Sequence, residues 1–277
     1  MTRREALVAA RRAFEEAGCP SPRVDAEHLL AQVLGLGRTA LAFELDRALT
    51  VEERAHFRGF VERRTAREPL AYILGEWGFR RLTLHVDRRV LIPRPETETV
   101  VERCLTVLAG TIEPQVLDVG AGSGAIALAL ADERPDVQVT AFDSSPEALE
   151  VAEQNLVATG LQERVRFVEH DLSSGFGERR WNLVVSNPPY IRRGELDGLE
   201  PEVREWEPRA ALVGEGATEA VARAARAALQ PEGWLVLEVA DGRAAEVAEL
   251  LEVLGYEEIA ITADLAGTER VVEGRVP

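Results

Sequence analysis

The tetrapeptide Asn187-Pro188-Pro189-Tyr190 follows the apolar run WNLVVS, and its residue types suit the grip of one small planar group. An Asn side chain offers an acceptor and two donors, and a proline-locked backbone leaves a carbonyl aimed outward with no competing N–H. A planar –NH2, whose lone pair is delocalised into a carbonyl or a ring, could place its two hydrogens on Asn187 Oδ1 and on the Pro188 carbonyl. Tyr190 could then lie against its flat face, so that positioning rather than a titratable base supplies the rate. Asn187, Pro188 and Tyr190 are therefore the candidate catalytic residues, with Pro189 completing the substrate corner. A plain turn at a strand end would need neither two prolines nor a tyrosine.

A second constellation, Gly120-Ala121-Gly122-Ser123-Gly124, follows the apolar strand Val116 to Val119 and opens a helix. In that context glycines let a ligand approach the backbone and amides point at it. Roughly twenty residues past Gly122, Asp143 ends the next strand, where a carboxylate can accept both hydroxyls of a ribose. The pair implies an adenosine-type ligand. Two other readings use the same residues: glycines serving a tight turn, and Asp143 capping the helix that starts at Pro146. Read as G-x-G-x-x-A, ending on Ala125, the loop would fit a dinucleotide equally well. After the strand RVRFV, Asp171 stands where a third loop could reach an adenine and Leu172 could cover the ring; His170 is read as a bystander.

These residues need a scaffold that brings strand ends together. The segment from Gln115 to Ser186 alternates strand and helix patterns, QVLDVG, AIALALA, VQVTAF, PEALEVAEQNLVATG, RVRFV and WNLVVS, which predicts a doubly wound α/β fold. In such sheets ligands bind off the carboxyl ends of the strands, where both constellations fall. The pattern continues through a helix near Ala217 to Leu229, the strand WLVLEV, a helix from Arg243 to Leu254 and two closing runs near Glu258 and Glu269. Residues 1–72 read as a small all-α domain, with Leu7, Val8, Phe14 and Ala17 on one stripe, proline at the start of a second helix after Ser21, and a Thr50/Glu53 capping box. Residues 73–92, with Gly75, Gly78 and the alternating LTLHV, read as a β-hairpin linker to a catalytic domain over residues 93–277, whose first helix begins near Glu96.

Composition narrows the chemistry further. The chain has 277 residues and a formal net charge of −16, which opposes stable nucleic-acid binding. It contains no lysine, so pyridoxal Schiff-base, Walker A and protein-kinase chemistry are excluded. Cys19 and Cys104 lack neighbours at metal-ligand spacing and read as reduced core thiols, so no metal is expected. An N-terminus mixing charges through its apolar positions, and the absence of a membrane-length apolar run, lead us to expect a cytoplasmic protein, taken as a monomer.

Taken together, RVLIPRPETE (Arg89 to Glu98), LDVGAGSGAIALALA (Leu117 to Ala131) and SNPPYI (Ser186 to Ile191), with EPLAYILGEWGF and SPRVDAEHLLAQVLG upstream, resemble the release-factor glutamine methyltransferases of the HemK/PrmC type. These are class I S-adenosylmethionine-dependent enzymes, and the likeness runs nearly end to end. It implies a Rossmann-like, mostly parallel sheet with a C-terminal antiparallel strand and a helical substrate-recognition domain. It also implies methylation of the side-chain amide nitrogen of glutamine in the Gly-Gly-Gln loop of peptide chain release factors. By position, Gly120, Ala121, Gly122, Ser123, Gly124, Asp143, Leu172 and Asn187 would bind the methyl donor, and Asn187 to Tyr190 would hold the glutamine. A site lined by Asp118 and Asp143 rather than by arginines would suit a sulfonium. EPRAALVGEGATEA (Glu207 to Ala220) departs from the family pattern on the substrate side. Arg94 and Glu96 receive no catalytic role.

Three other classes compete. An adenine or guanine amino methyltransferase could use the same corner on a flipped base, but needs a positive track. A nicotinamide oxidoreductase would use the glycines and leave Asn187 to Tyr190 unexplained. A non-catalytic nucleotide-binding module is disfavoured by the intact Asn187 and Tyr190.

Overall fold

The first two longer helices show how local chemistry sets element boundaries. In the computed structural model, which describes residues 1–177 and 180–277, α1 (Arg3–Glu16) opens on a capping box in which Thr2 accepts from the Glu5 amide and Glu5 reaches back to Thr2. Next come α2 (Pro22–Leu34), with proline in its first turn, and the short α3 (Arg38–Leu41). The expected Thr50/Glu53 box opens α4 (Val51–Thr65), and α5 (Leu70–Leu74) follows. The expected stripe needs one correction. Ala6, Ala10 and Phe14 form the buried face of α1, whereas Val8 is 65% exposed, because two residues of helix turn the chain by about 200°.

A hairpin of β1 (Glu76–Phe79) and β2 (Leu82–His85) leads to α6 (Thr97–Val107). The alternation then runs β3 (Gln115–Val119), α7 (Ala125–Glu133), β4 (Gln138–Asp143), α8 (Pro146–Thr159), β5 (Val165–Glu169) and β6 (Trp181–Ser186). Two short helices, α9 (Pro201–Trp206) and α10 (Arg209–Leu212), precede α11 (Ala217–Ala228), β7 (Leu229–Glu238), α12 (Ala244–Val253), β8 (Glu257–Ala263) and β9 (Glu269–Arg275). The chain divides into two compact units: Met1–Gly75 with Glu200–Trp206, and Glu76–Leu199 with Glu207–Pro277. Among the described residues, no helix is long and apolar enough to cross a membrane.

Within the helical unit, Phe14, Leu29, Leu30, Leu41, Phe57 and Ile73 form the core. Beside it the buried guanidinium of Arg64 donates to Asp25 and to Glu202, both at 2.8 Å. Arg67 donates to Glu202 as well, so α9 is tied into this unit by charge across about 135 residues of chain. No periodicity in the sequence announces this return.

The second unit is built on a seven-stranded sheet of order β5-β4-β3-β6-β7-β9-β8. Strands β3 to β7 pair in parallel, while β9 runs antiparallel to both neighbours. This is the Rossmann-like arrangement expected, with the topological switch between β3 and β6. Side chains alternate along β3: Leu117 and Val119 join the core on one face, and Val116 joins the core on the other, the α7 side. Asp118 shares the Val116 face, so its buried carboxylate lies under the N-terminus of α7 and accepts from the Ala127 amide at 3.1 Å. Its other oxygen is buried without a partner. Burial, with a smaller push from Asp143, raises its pKa to about 7, against the pull of the Ala127 N–H.

That shift has a sign for stability. A carboxyl whose folded pKa lies above its unfolded value near 3.9 adds stability at low pH, and this is lost as pH rises toward about 7. Asp118→Asn cannot ionise. Its melting temperature relative to the native protein should therefore rise steadily between pH 4 and pH 8, as calorimetry would record; a pH-independent difference would place the Asp118 pKa in the ordinary range.

Candidate active site

Strands β3 and β6 are adjacent, with Val119 opposite Ser186, and the Ser186 hydroxyl donates to the Val119 carbonyl at 2.6 Å. The next residue of each strand, Gly120 and Asn187, therefore leaves the sheet side by side. A Cβ added to Gly120 would stand 3.9 Å from the Asn187 carbonyl. A cavity of about 280 Å³ opens off these strand ends. Gly120 to Ser123, Asp143, Leu172 and Asn187 to Pro189 all line it, so the geometry brings the two sequence constellations into one cleft.

The glycine loop differs from expectation in what it offers. The amides of Gly120 and Ala121 both donate to the Phe142 carbonyl, at 2.8 and 2.9 Å, and the Gly124 amide donates to Ala121. Gly122 donates to Asp143 Oδ2 at 2.8 Å. These four N–H groups are occupied by the protein, so the loop does not present them to a ligand as a phosphate-binding loop does. What the glycines supply is a thin wall and left-handed backbone. Gly124 itself does not line the cavity: it starts α7 at φ 83°, and a Cβ there would meet the Phe167 ring at 2.7 Å.

Asp143 uses one lone pair of each oxygen internally, on the amides of Gly122 and Ser145. A carboxylate has about four acceptor sites, so both oxygens remain able to accept a hydroxyl. Beside it Phe142 stacks on His170, ring centroids 4.3 Å apart, and both rings line the cavity. His170 is thus a wall residue, where the sequence reading made it a bystander. Asp171 is turned to its own loop instead, accepting from the Ser173 amide at 2.7 Å.

The expected absence of arginines is also corrected. Arg89 and Arg94 line the cavity, whereas Asp118 is buried beneath α7 and does not, because its strand position points it away from the cleft. Arg94 pairs with the buried Glu207, whose other oxygen lies 3.4 Å from the Ile92 amide. Burial raises the Glu207 pKa, and the Arg94 charge opposes that rise.

The Asn-Pro-Pro-Tyr corner is held from behind. Asn187 Nδ2 donates to Thr97 Oγ1 at 3.4 Å, Thr97 Oγ1 donates to Glu238 Oε2 at 2.6 Å, and the Tyr190 hydroxyl donates to Glu238 Oε1 at 3.3 Å. Tyr190 is not on the cavity wall, and burial beside Glu238 pushes its phenol up to about 12. The segment after α10 presses on the same corner: Ile191 pairs with Val213, and a Cβ on Gly214 would meet Pro189 at 2.5 Å. Sequence reasoning missed Thr97 and Glu238. A carboxylate ending the apolar strand WLVLE, at the ligand-binding edge of a parallel sheet, was the available clue. Among the described residues, no cluster of His, Cys, Asp and Glu could hold a metal ion.

The PrmC N-terminal domain family matches residues 5–75, and the methyltransferase small domain family matches residues 100–199. The release factor glutamine methyltransferase of Geobacter sulfurreducens is 41% identical over 267 residues, spanning 94% of this chain and 92% of that protein. That of Deinococcus radiodurans is 42% identical over 281 residues and spans 99% of each. Among solved structures, a T. thermophilus 16S rRNA N2 methyltransferase in complex with AdoMet and guanosine aligns with a TM-score of 0.54 at 20% identity, covering 73% of this chain and 50% of that one, a likeness of fold. With relatives this similar over nearly its whole length, the chain belongs to the release factor glutamine methyltransferase family.

Proposed function

We propose that the protein transfers a methyl group from S-adenosylmethionine to the side-chain amide nitrogen of the glutamine in the Gly-Gly-Gln loop of peptide chain release factors. The observation that carries this reading is the side-by-side exit of Gly120 and Asn187, which brings the glycine loop and the Asn187 to Pro189 segment onto one cavity. The residues fit such a donor. Asp143 keeps acceptor capacity for ribose hydroxyls, Leu172, Phe142 and His170 offer apolar and aromatic wall, and the occupied loop amides suit a nucleoside without phosphates better than a dinucleotide. Gly120, Ala121, Gly122 and Ser123 form the close-approach surface, and Gly124 shapes the turn. When bound, S-adenosylmethionine supplies an electrophilic methyl group on a positively charged sulfur.

Asn187 and Pro188 then do the work of orientation. An amide nitrogen is a weak nucleophile because its lone pair is delocalised into the carbonyl. Holding its two hydrogens on Asn187 Oδ1 and the Pro188 carbonyl aims the remaining face at the methyl group; as the carbon–nitrogen bond forms, the methyl–sulfur bond would break and leave a neutral thioether, and the nitrogen would then release one hydrogen as a proton to solvent. Pro189 and Tyr190 keep this corner rigid. The helical unit has the role of docking the folded protein substrate. A net charge of −16 argues against nucleic acid as the acceptor.

Labelled methyl transfer to intact release factor, to one with its loop glutamine replaced, and to total RNA and DNA tests the assignment; label should enter only the intact factor, and label in nucleic acid would overturn the protein-substrate reading. Asn187→Ala should lower kcat by about a hundredfold or more while donor affinity stays near native, since the lost function is alignment. Asp143→Ala should do the opposite, weakening donor binding measured by calorimetry; unchanged affinity would remove the ribose contact. If the helical unit docks the substrate, kcat/KM should be at least about tenfold higher for folded release factor than for a short Gly-Gly-Gln peptide, a gap of about 1.4 kcal/mol. Equal values would deny it that role.

A further inference from the structure

We propose that Thr97 and Glu238 are positioning residues that set which way the Asn187 amide faces the cavity, an inference that rests on Asn187 being the group that holds the acceptor. Thr97 sits in the first turn of α6 and Glu238 at the carboxyl end of β7, and both are buried, at 4% and 1% exposure. They are 141 residues apart in sequence, yet their side chains meet at 2.6 Å.

The argument follows the hydrogens. A threonine hydroxyl has one hydrogen, and a carboxylate has none to give. Two hydroxyls converge on Glu238, Thr97 on Oε2 at 2.6 Å and Tyr190 on Oε1, which favours its ionised form against the rise in pKa that burial causes; the Thr97 hydrogen is then committed to Oε2, so Thr97 Oγ1 can only accept from its other neighbour. That neighbour is Asn187, 3.4 Å away, which must therefore turn Nδ2 inward. The amide's oxygen is then left for the cavity, where the acceptor's –NH2 needs it. The reverse orientation would set two oxygens against each other inside and present a hydrogen-bond donor to a donor outside. Rotation about the terminal torsion of Asn is soft and roughly two-fold, so nothing in the residue itself selects one orientation. Glu238 also takes the hydrogen of the Tyr190 hydroxyl on its second oxygen, at 3.3 Å. One buried carboxylate thus directs both ends of the Asn-Pro-Pro-Tyr corner.

A direction-setting role and a packing role make opposite predictions for two variants. Thr97→Val keeps shape and loses the hydroxyl, whereas Thr97→Ser keeps the hydroxyl and loses a methyl group. We expect Thr97→Val to lower kcat by about ten- to a hundredfold, with donor Kd changed by less than about twofold, and Thr97→Ser to stay within about threefold of native. Native-like turnover in Thr97→Val with loss in Thr97→Ser, or equal loss in both, would overturn the proposal. The Asn187 side-chain amide offers a readout independent of turnover. By nuclear magnetic resonance, one of its N–H hydrogens should exchange more slowly in the native protein and Thr97→Ser than in Glu238→Gln. Equal exchange in all three would also defeat the proposal, even if Thr97→Val fails to fold. Absence of methyl transfer to glutamine by the native protein would instead defeat the functional assignment, leaving the exchange comparison to decide the orientation.

Discussion

The parallel pairing of β3 with β6 is the constraint on which the site depends. Every contact in the cavity presupposes that the chain, having built β3, β4 and β5 in one direction, returns to lay β6 on the other side of β3. At that reversal the loops after the two central strands part to opposite faces, leaving a crevice that side chains of the sheet do not fill. The pairing is in register at Val119 and Ser186, with the Ser186 hydroxyl bonded across it. A slip of one residue would exchange the two faces of β6, sending Val184 to the wrong core and Asn187 away from Gly120.

Three carboxylates buried around this crevice show different answers to the same electrostatic problem. Glu207 is matched with the Arg94 guanidinium. Glu238 accepts from two hydroxyls, Thr97 and Tyr190, which oppose the rise in its pKa that burial causes. Asp118 has a single backbone N–H and the end of a helix, and is the poorest compensated of the three. The burial of a charge is costly unless it is paired or hydrogen-bonded, so each arrangement ties the acid to a particular loop or helix. Glu207 fixes the segment around Ile92 and Arg94, Glu238 fixes α6 against the acceptor corner, and Asp118 fixes the start of α7.

What could be read in the sequence was whatever is written in contiguous residues. The Gly120 to Gly124 loop, Asp143 and Asn187 to Tyr190 each follow an apolar strand, and strand–helix alternation is enough to place strand ends at one edge of a sheet. Hydrogen-bond partners across the fold were not legible. Thr97 lies within RVLIPRPETE and Glu238 ends the strand WLVLE, but nothing in either run announces that the two side chains meet. The occupied amides of the glycine loop depend on the Phe142 carbonyl, which no pattern in the loop encodes. Val8 faces solvent because helical phase sets it opposite Ala6 and Ala10, whose small side chains carry the buried face and signal it only weakly in a hydrophobic pattern.

The capture of Glu200–Trp206 by the N-terminal helices bears on how the protein is made. Ribosomes release a chain from its N-terminus, so α1 to α5 emerge long before Glu202 is synthesised. Until then Arg64 has Asp25 alone, and Arg67 lacks its main carboxylate partner. The helical unit can condense early on Phe14, Leu29 and Phe57, but its charge balance closes only after β3 to β6 have left the ribosome. Its final consolidation is therefore coupled in time to that of the catalytic sheet, and a chain interrupted between residues 75 and 200 would carry an N-terminal unit in which Arg64 and Arg67 lack the Glu202 carboxylate.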